Sequence, residues 1–338
     1  MTNDDWTTPG VYEVVPGVHR IPLPLPNDGL RAVNVYAVTG SDGPVLIDSG
    51  WAIPAAKTLL QDALAELGAE FADVKRFLVT HMHRDHYSQA IHLRREFGTR
   101  VTLGADERSS LEITSRPGRT SGQEQGNYLR ELGATEIADL MAKHAGSPDL
   151  TDWEMPTDWF TAGEIIAANG RSLEVVETPG HTRGHVVFYD TPASLLFAGD
   201  HVLPTITPSI GFEPALSPDP LGSFLRSLAI VRGRPDAMLL PAHGPVTASV
   251  HERVDELVEF HQLRLDSMAE VLGWGAETAA EVAAKVTWTR RGRSLSELDM
   301  FNQFLAVCET GAHLDLMVSQ GRATVQKVDG VRHYALLA

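Results

Sequence analysis

The sequence predicts a mixed α/β fold in which β-sheets are faced by helices, followed by a smaller C-terminal module. Three observations predict it. Short segments rich in β-forming residues alternate with turn dipeptides near the N-terminus, apolar strands and amphipathic helices then alternate along the chain, and the pattern changes after residue 273. At 338 residues the chain exceeds the size at which one hydrophobic core usually stops growing, which favours a second unit.

The N-terminal third supplies the first sheet. Strands are predicted over residues 11–21, 32–39 and 45–47, with turns at Asp28-Gly29 and Asp42-Gly43. Pro54 begins an amphipathic helix that Gly68 ends. Further strands are predicted at 76–79 and 101–103, separated by a helix at 90–97.

Residues 107–160 differ from what precedes them and are predicted as an insertion or lid with helical pattern at 128–144. Its aromatic residues are Trp153, Trp159 and Phe160. They have two interpretations of equal weight: contacts to an apolar part of a substrate, or anchors that fasten the insertion to the core. Strands are then expected at 173–178, 186–189, 195–198 and 238–240, and helices at 221–231 and 250–272.

The C-terminal segment is predicted as helices at 278–286 and 298–318 followed by a hairpin at 323–337. Helices followed by a two-stranded hairpin are typical of a winged helix. The sequence thus predicts two domains, residues 1–265 and 266–338.

The amino-acid composition disfavours several classes of function. The formal net charge is −16, which disfavours broad binding to nucleic acid. Cys308 is the single cysteine, so neither an intrachain disulfide nor a cluster of thiolate ligands can form. The chain shows neither a signal-peptide pattern nor an apolar run long enough to cross a membrane, so we expect a cytoplasmic protein.

The chemistry is concentrated in one six-residue segment, His81-Met82-His83-Arg84-Asp85-His86, which directly follows a predicted strand. Only 14 of the 338 residues are histidine, so chance does not readily explain three of them here. Imidazole and carboxylate ligands suit zinc, and manganese and iron(II) are the alternatives. Because the segment follows a strand, its side chains are expected at a rim of the sheet.

Three further strand ends deliver the same residue types. His181 follows the strand at 173–178, Asp200 follows the strand at 195–198, and His243 follows the strand at 238–240. A single histidine or aspartate at a strand end is usually a surface residue or a helix cap. Four such ends in one chain predict a shared metal centre.

These motifs resemble the metallo-β-lactamase superfamily, whose signature is HxHxDH followed by distant His, Asp and His. The resemblance covers about residues 11–265 and implies an αββα sandwich, here with a winged-helix-like C-terminal domain, and a site like that of glyoxalase II. It implies that two ions share seven ligands. The first trio is His81, His83 and His181, the second trio is Asp85, His86 and His243, and the bridging ligand is Asp200.

Two more residues are expected to support the ligands. By the resemblance, Asp48 orients a metal-binding side chain. His185 repeats the Gly-His pattern of His181 and is interpreted as structural or as a neighbour of the ligands. Seven further histidines are expected to be ordinary residues, of which His201, next to Asp200, could still face the substrate: His92, His144, His201, His251, His261, His313 and His333.

The predicted protein is therefore a hydrolase that uses two Zn²⁺ ions per subunit to activate a bridging hydroxide. Asp85 is expected to act both as a ligand and in proton transfer. The favoured substrate is a small acyl thioester or ester. A phosphodiesterase or ribonuclease with the same metals and a mononuclear iron dioxygenase are the alternatives.

The C-terminal module does not favour nucleic acid, since residues 273–338 contain seven basic and seven acidic residues. Its one basic cluster is Arg290, Arg291 and Arg293, which either grips a phosphate or is an ordinary solvated loop. We expect this module to pack against the catalytic domain, to form a wall of the active site, or to mediate a homodimer.

Overall fold

The computed structural model describes residues 5–26, 29–120, 122–146, 150–289 and 291–337. Asp28 of the predicted first turn and Arg290 of the predicted basic cluster lie outside these ranges.

The first sheet has seven strands in the order β1-β2-β3-β4-β5-β6-β7. Neighbours pair antiparallel from β1 to β4 and parallel from β4 to β7. The strands are β1 (Tyr12–Val15), β2 (Val18–Pro24), β3 (Ala32–Val38), β4 (Val45–Ile47), β5 (Arg76–Leu78), β6 (Arg100–Gly104) and β7 (Asp158–Phe160).

The second sheet has the order β12-β11-β10-β9-β8. Its pairs are antiparallel except β11 with β12, which is parallel. The strands are β8 (Ile165–Ala168), β9 (Arg171–Glu177), β10 (Val186–Asp190), β11 (Leu195–Gly199) and β12 (Met238–Pro241), while β13 (Ala323–Val328) and β14 (Val331–Leu336) form a separate hairpin.

Helices cover the outer faces of the two sheets and build the C-terminal part. Within the described residues they are α1 (Pro54–Glu66), α2 (Arg84–Phe97), α3 (Arg108–Thr114), α4 (Gln123–Glu131), α5 (Thr135–His144), α6 (Pro220–Arg232), α7 (Val250–Gly273), α8 (Ala279–Lys285) and α9 (Met300–Ser319). None of them is both long and apolar enough to cross a membrane.

Three buried clusters separate the four layers of the fold, which is a sandwich. One buried cluster fills the space between the sheets, where the rings of Tyr36 (β3) and Phe197 (β11) meet edge to face at 5.5 Å. A second cluster lies between the first sheet and helices α1 and α2. A third lies between the second sheet and helices α4 to α9. The order of layers is helix, sheet, sheet, helix, and the predicted fold class is confirmed.

The C-terminal part shares a buried core with the sandwich, because Phe224 of α6 and Phe304 of α9 belong to one buried cluster. Its helices and hairpin are compatible with the predicted winged-helix-like arrangement. The predicted boundary near residue 265 falls inside α7, which continues from Val250 to Gly273. The division into two domains stays a prediction.

The insertion differs from its prediction in detail. Its helical segment is divided into α4 and α5, and α4 lies so close to α9 that a Cβ on Gly311 would be 2.8 Å from Leu132 and 2.9 Å from the Tyr128 hydroxyl. The insertion ends in β7, which becomes the edge strand of the first sheet. Trp153 and Phe160 are buried in the core, which favours the anchoring interpretation for both.

Candidate metal centre

Loops at one edge of the sandwich bring all seven predicted ligands together. His81 and His83 lie between β5 and α2, and Asp85 and His86 lie in the first turn of α2. The predicted helix start at residue 90 is therefore wrong by six residues, because the helix begins directly after His83. His181 follows β9, Asp200 follows β11 and His243 follows β12, as the strand-end argument predicts.

The first group is built around His83. Its Nδ1 atom lies 3.0 Å from Nε2 of His81 and 2.9 Å from Nε2 of His181. Oδ2 of Asp200 lies 3.4 Å from Nε2 of His181. One ligand atom from each of these four residues lies within 4.8 Å of the others, so that the four could hold one metal ion.

The second group is built around Asp85. Its Oδ2 atom lies 3.3 Å from Nε2 of His243 and 3.5 Å from Nε2 of His86. The other oxygen of Asp200, Oδ1, lies 3.4 Å from Nε2 of His243 and 3.7 Å from Nε2 of His86. Asp200 thus presents one oxygen to each group.

Hydrogen bonds on the far side of the rings determine which nitrogen faces the centre. His243 Nδ1 donates to the Ala32 carbonyl at 2.7 Å, and His181 Nδ1 donates to the Ser209 carbonyl at 2.8 Å. His86 Nδ1 donates to Oδ2 of Asp48 at 2.9 Å. With its proton on Nδ1, each of these rings keeps the lone pair of Nε2 for a metal ion.

Buried polar atoms without hydrogen-bond partners indicate that these side chains fit metal ions. Nε2 of His86, Nε2 of His243 and Oδ1 of Asp200 are all buried and have no hydrogen-bond partner within the described residues. Buried polar atoms without partners are costly, and a cation between them would satisfy all three. Histidine nitrogens with carboxylate oxygens are a typical zinc set.

The pKa values of the histidines differ between the two groups. Burial lowers the pKa of His83 to about 3 and that of His181 to about 4, so these imidazoles are neutral and able to bind a metal. Burial also lowers the pKa of His86, but the carboxylates of Asp85, Asp48 and Asp200 outweigh it and leave that pKa well above its usual value. The carboxylates around the second group therefore stabilise positive charge at this place, and a bound cation would supply that charge instead of the ring proton.

The two supporting residues that the sequence indicates lie against the ligands. Asp48 joins His86 to the Thr80 backbone N–H, which donates to Oδ1 at 2.8 Å. His185 accepts from the backbone N–H of Asp200 at 3.1 Å and contacts Thr178 Oγ1 through Nδ1. Gly199 has a φ of +50°, and a Cβ there would lie 2.7 Å from the His185 ring, so glycine is required beside Asp200.

Sequence reasoning missed other members of the site. Glu107 is buried and accepts from Thr182 Oγ1 and from the Met82 backbone, which ties the 81–86 loop to the 181 loop. Burial raises its pKa to about 8. The one available signal was a charged residue soon after a predicted strand, since Glu107 follows β6 by three residues.

Phe212 was also missed, and it connects the centre to the C-terminal helices. Its ring lies 5.3 Å from that of His83, and the rings of Phe301 and Phe304 on α9 lie 5.9 and 5.4 Å from Phe212. One of the predicted roles of the C-terminal part was a wall of the active site, and this aromatic contact supports that role.

Comparison with known proteins agrees with this arrangement. The family described as the metallo-beta-lactamase superfamily matches residues 28–243. A metallo-beta-lactamase family protein from Thermus thermophilus has a crystal structure that superposes with a TM-score of 0.78 at 28% identity, covering 96% of this chain and 100% of that one. The probable metallo-hydrolase YqjP of Bacillus subtilis is 24% identical over 90% of this chain and 92% of its own length.

Two further relatives have names that specify a reaction. The hydroxyacylglutathione hydrolase GloC of Haemophilus influenzae is 30% identical over 38% of this chain and 50% of its own length. An atrochrysone carboxyl ACP thioesterase of Aspergillus fumigatus is 23% identical over 73% of this chain and 46% of its own length. The chain spans 57% and 65% of the length of two fungal lactamase-like proteins named nscB.

The fold, the relatives and the clustered histidine and aspartate side chains that could hold metal ions define the class of protein, that of the metal-dependent hydrolases. The chain belongs to the metallo-beta-lactamase superfamily.

Proposed function

We propose that the protein is a binuclear zinc hydrolase of small acyl thioesters or esters. His81, His83 and His181 would hold a first ion, Asp85, His86 and His243 would hold a second, and Asp200 would offer one oxygen to each. The observation that carries this proposal is the placement of Asp200, whose two oxygens face the two groups at 3.4 Å from His181 and from His243.

When bound, two divalent ions would lower the pKa of a water molecule and polarise the carbonyl group of the substrate. The chain's own residues then orient the reactants. The neighbouring His86 and His243 outweigh burial and hold the pKa of Asp85 well below its usual range, so that its carboxylate stays ionised. An ionised Asp85 accepts a hydrogen bond from the attacking water and directs its lone pair towards the carbonyl carbon.

The thioester substrate is supported by two features. Relatives named hydroxyacylglutathione hydrolase and ACP thioesterase act on acyl groups in their own right. In this chain the Phe212 ring contacts that of His83, the Phe301 ring contacts that of Phe212 in turn, and Phe301 is 50% exposed. An apolar acyl group placed against them would lose water contact favourably.

The deciding experiment compares the hydrolysis of an acyl thioester with that of a generic phosphodiester by the zinc-loaded protein. We expect faster thioester hydrolysis, which Asp85→Asn abolishes and Asp62→Asn, an exposed control on α1, leaves unchanged. Faster phosphodiester hydrolysis would contradict the substrate class. The cytoplasmic location and the homodimer stay predictions from the sequence.

A further inference from the structure

A second group of metal-binding side chains lies away from the candidate centre, between two C-terminal helices. Glu309 and His313 are four residues apart on α9, so both project from the same face of the helix. His261 of α7 faces them, with its Nδ1 atom 3.1 Å from Nε2 of His313. One ligand atom from each of the three residues lies within 4.8 Å of the others. We call these three residues the α7–α9 cluster.

We propose that the α7–α9 cluster is a second metal site, which binds one zinc-like divalent cation through His261, Glu309 and His313 and fastens α7 to α9.

The hydrogen bonding of the rings supports a cation at this place. His313 Nδ1 donates to the Glu309 carbonyl at 2.7 Å, which leaves a lone pair on Nε2 pointing at His261. The 3.1 Å separation of the two ring nitrogens matches the separations of 2.9 and 3.0 Å between ligand nitrogens at the candidate metal centre. Two imidazoles and a carboxylate are the protein ligands of many zinc sites with one open position.

The carboxylate gives the second, independent observation. Oε1 of Glu309 is buried and has no hydrogen-bond partner within the described residues. The charge of Arg264 acts on this carboxyl, but its guanidinium lies 3.9 Å above the Trp288 ring and donates to the Thr287 carbonyl. Arg264 makes no ion pair with Glu309 within 4 Å in the described part of the chain, so a bound cation would supply the missing partner.

The protonation states of the two histidines are compatible with the site, and a bound cation would offset the burial that raises the pKa of Glu309. Burial lowers the pKa of His261 to about 4, and the Arg264 charge adds to this effect. Burial also lowers the pKa of His313 well below its usual value. At neutral pH both rings are uncharged, the form that binds a metal.

Such a site would have a mechanical consequence. The helix that carries Glu309 and His313 also carries Phe301 and Phe304, which reach Phe212 beside the candidate metal centre. A cation that ties α7 to α9 would hold this aromatic wall in place, and by binding only the folded chain it would raise the thermal stability.

The test measures zinc per chain in the full-length protein after removal of loosely bound metal, together with the melting temperature. We expect His313→Gln and Glu309→Gln each to lose one equivalent of zinc relative to the wild type and to His144→Gln, an exposed histidine control. We also expect a mild chelator to lower the melting temperature of the wild type more than that of either cluster variant.

Glu309→Gln keeps the size of the side chain, so it decides the question if His313→Gln does not fold. Equal zinc content in the wild type and the cluster variants would overturn the proposal.

Discussion

Asp48→Asn tests whether Asp48 holds the His86 ring in the tautomer and orientation that a metal ion needs. Asp48 accepts from the Thr80 N–H through Oδ1 at 2.8 Å and from His86 Nδ1 through Oδ2 at 2.9 Å. An asparagine offers only one acceptor oxygen, so its NH₂ group must face one of these two donors. If it faces His86, the imidazole proton moves to Nε2, which is the atom that the second metal needs.

The expected loss of metal affinity is large for the exchange of one carboxylate oxygen for an NH₂ group. Residues that orient a metal ligand are worth about 10–100-fold in metal affinity, or roughly 1.4–2.7 kcal/mol. We expect Asp48→Asn near the upper end of that range, because the carboxylate serves the ligand and the strand end together. The backbone does not confuse the result: Asp48 has a φ of +59°, a conformation that asparagine tolerates well.

Zinc affinity, measured by competition with a chromophoric chelator, checks this prediction. Asp329→Asn is the matched control, because Asp329 is exposed and also has a positive φ, of +48°. A change in affinity of less than about threefold in Asp48→Asn would refute the role given to Asp48.

Three other changes follow from the same contacts. Asp200→Ala removes both bridging oxygens, so we expect loss of the second zinc ion and of most activity; a fully active variant with normal metal content would exclude Asp200 as the bridge. Glu107→Gln tests the raised pKa of Glu107. Between about pH 4.5 and 8 the folded state keeps a proton on this carboxyl that the unfolded chain releases, so the stability of the wild type should fall as the pH rises. The melting temperature should therefore fall less from pH 5 to pH 8 in this variant than in the wild type or in the exposed control Glu112→Gln. Parallel profiles would contradict that assignment. Phe301→Ala should raise KM for a substrate with a long apolar acyl group by several-fold at unchanged melting temperature, whereas Phe97→Ala, a remote and 40% exposed control, should not; equal KM values would remove Phe301 from the binding site.

The candidate ligands could be predicted from the sequence because of their positions in the chain. His81, His181, Asp200 and His243 each follow an apolar strand, and strand ends of a sandwich meet at one edge. Asp48 was accessible for the same reason, since it follows β4 directly.

What the sequence could not predict depends on contacts between distant segments. Glu107 acquires its role only when the 81–86 and 181 loops close over it, and Phe212 gains its role only when α9 packs beside the centre. The start of α2 was misplaced because His83, at its N-terminus, makes no side-chain cap that a sequence pattern would reveal. β7 has three residues, too few to show periodicity, and is defined by its pairing with β6.

The sequence pattern did not indicate that His261 and His313 could share a metal ion. Each stands alone in the sequence inside a helix, where a single histidine is usually an ordinary residue. Only the packing of α7 on α9 brings their nitrogens to 3.1 Å.

The most direct test of the binuclear centre is X-ray diffraction at the zinc edge from crystals grown with zinc. The proposal predicts two anomalous peaks at the candidate centre, one on each side of the Asp200 carboxylate, within about 2.0–2.2 Å of its oxygens. A single peak there, or peaks that leave Asp200 without contact, would contradict the binuclear arrangement.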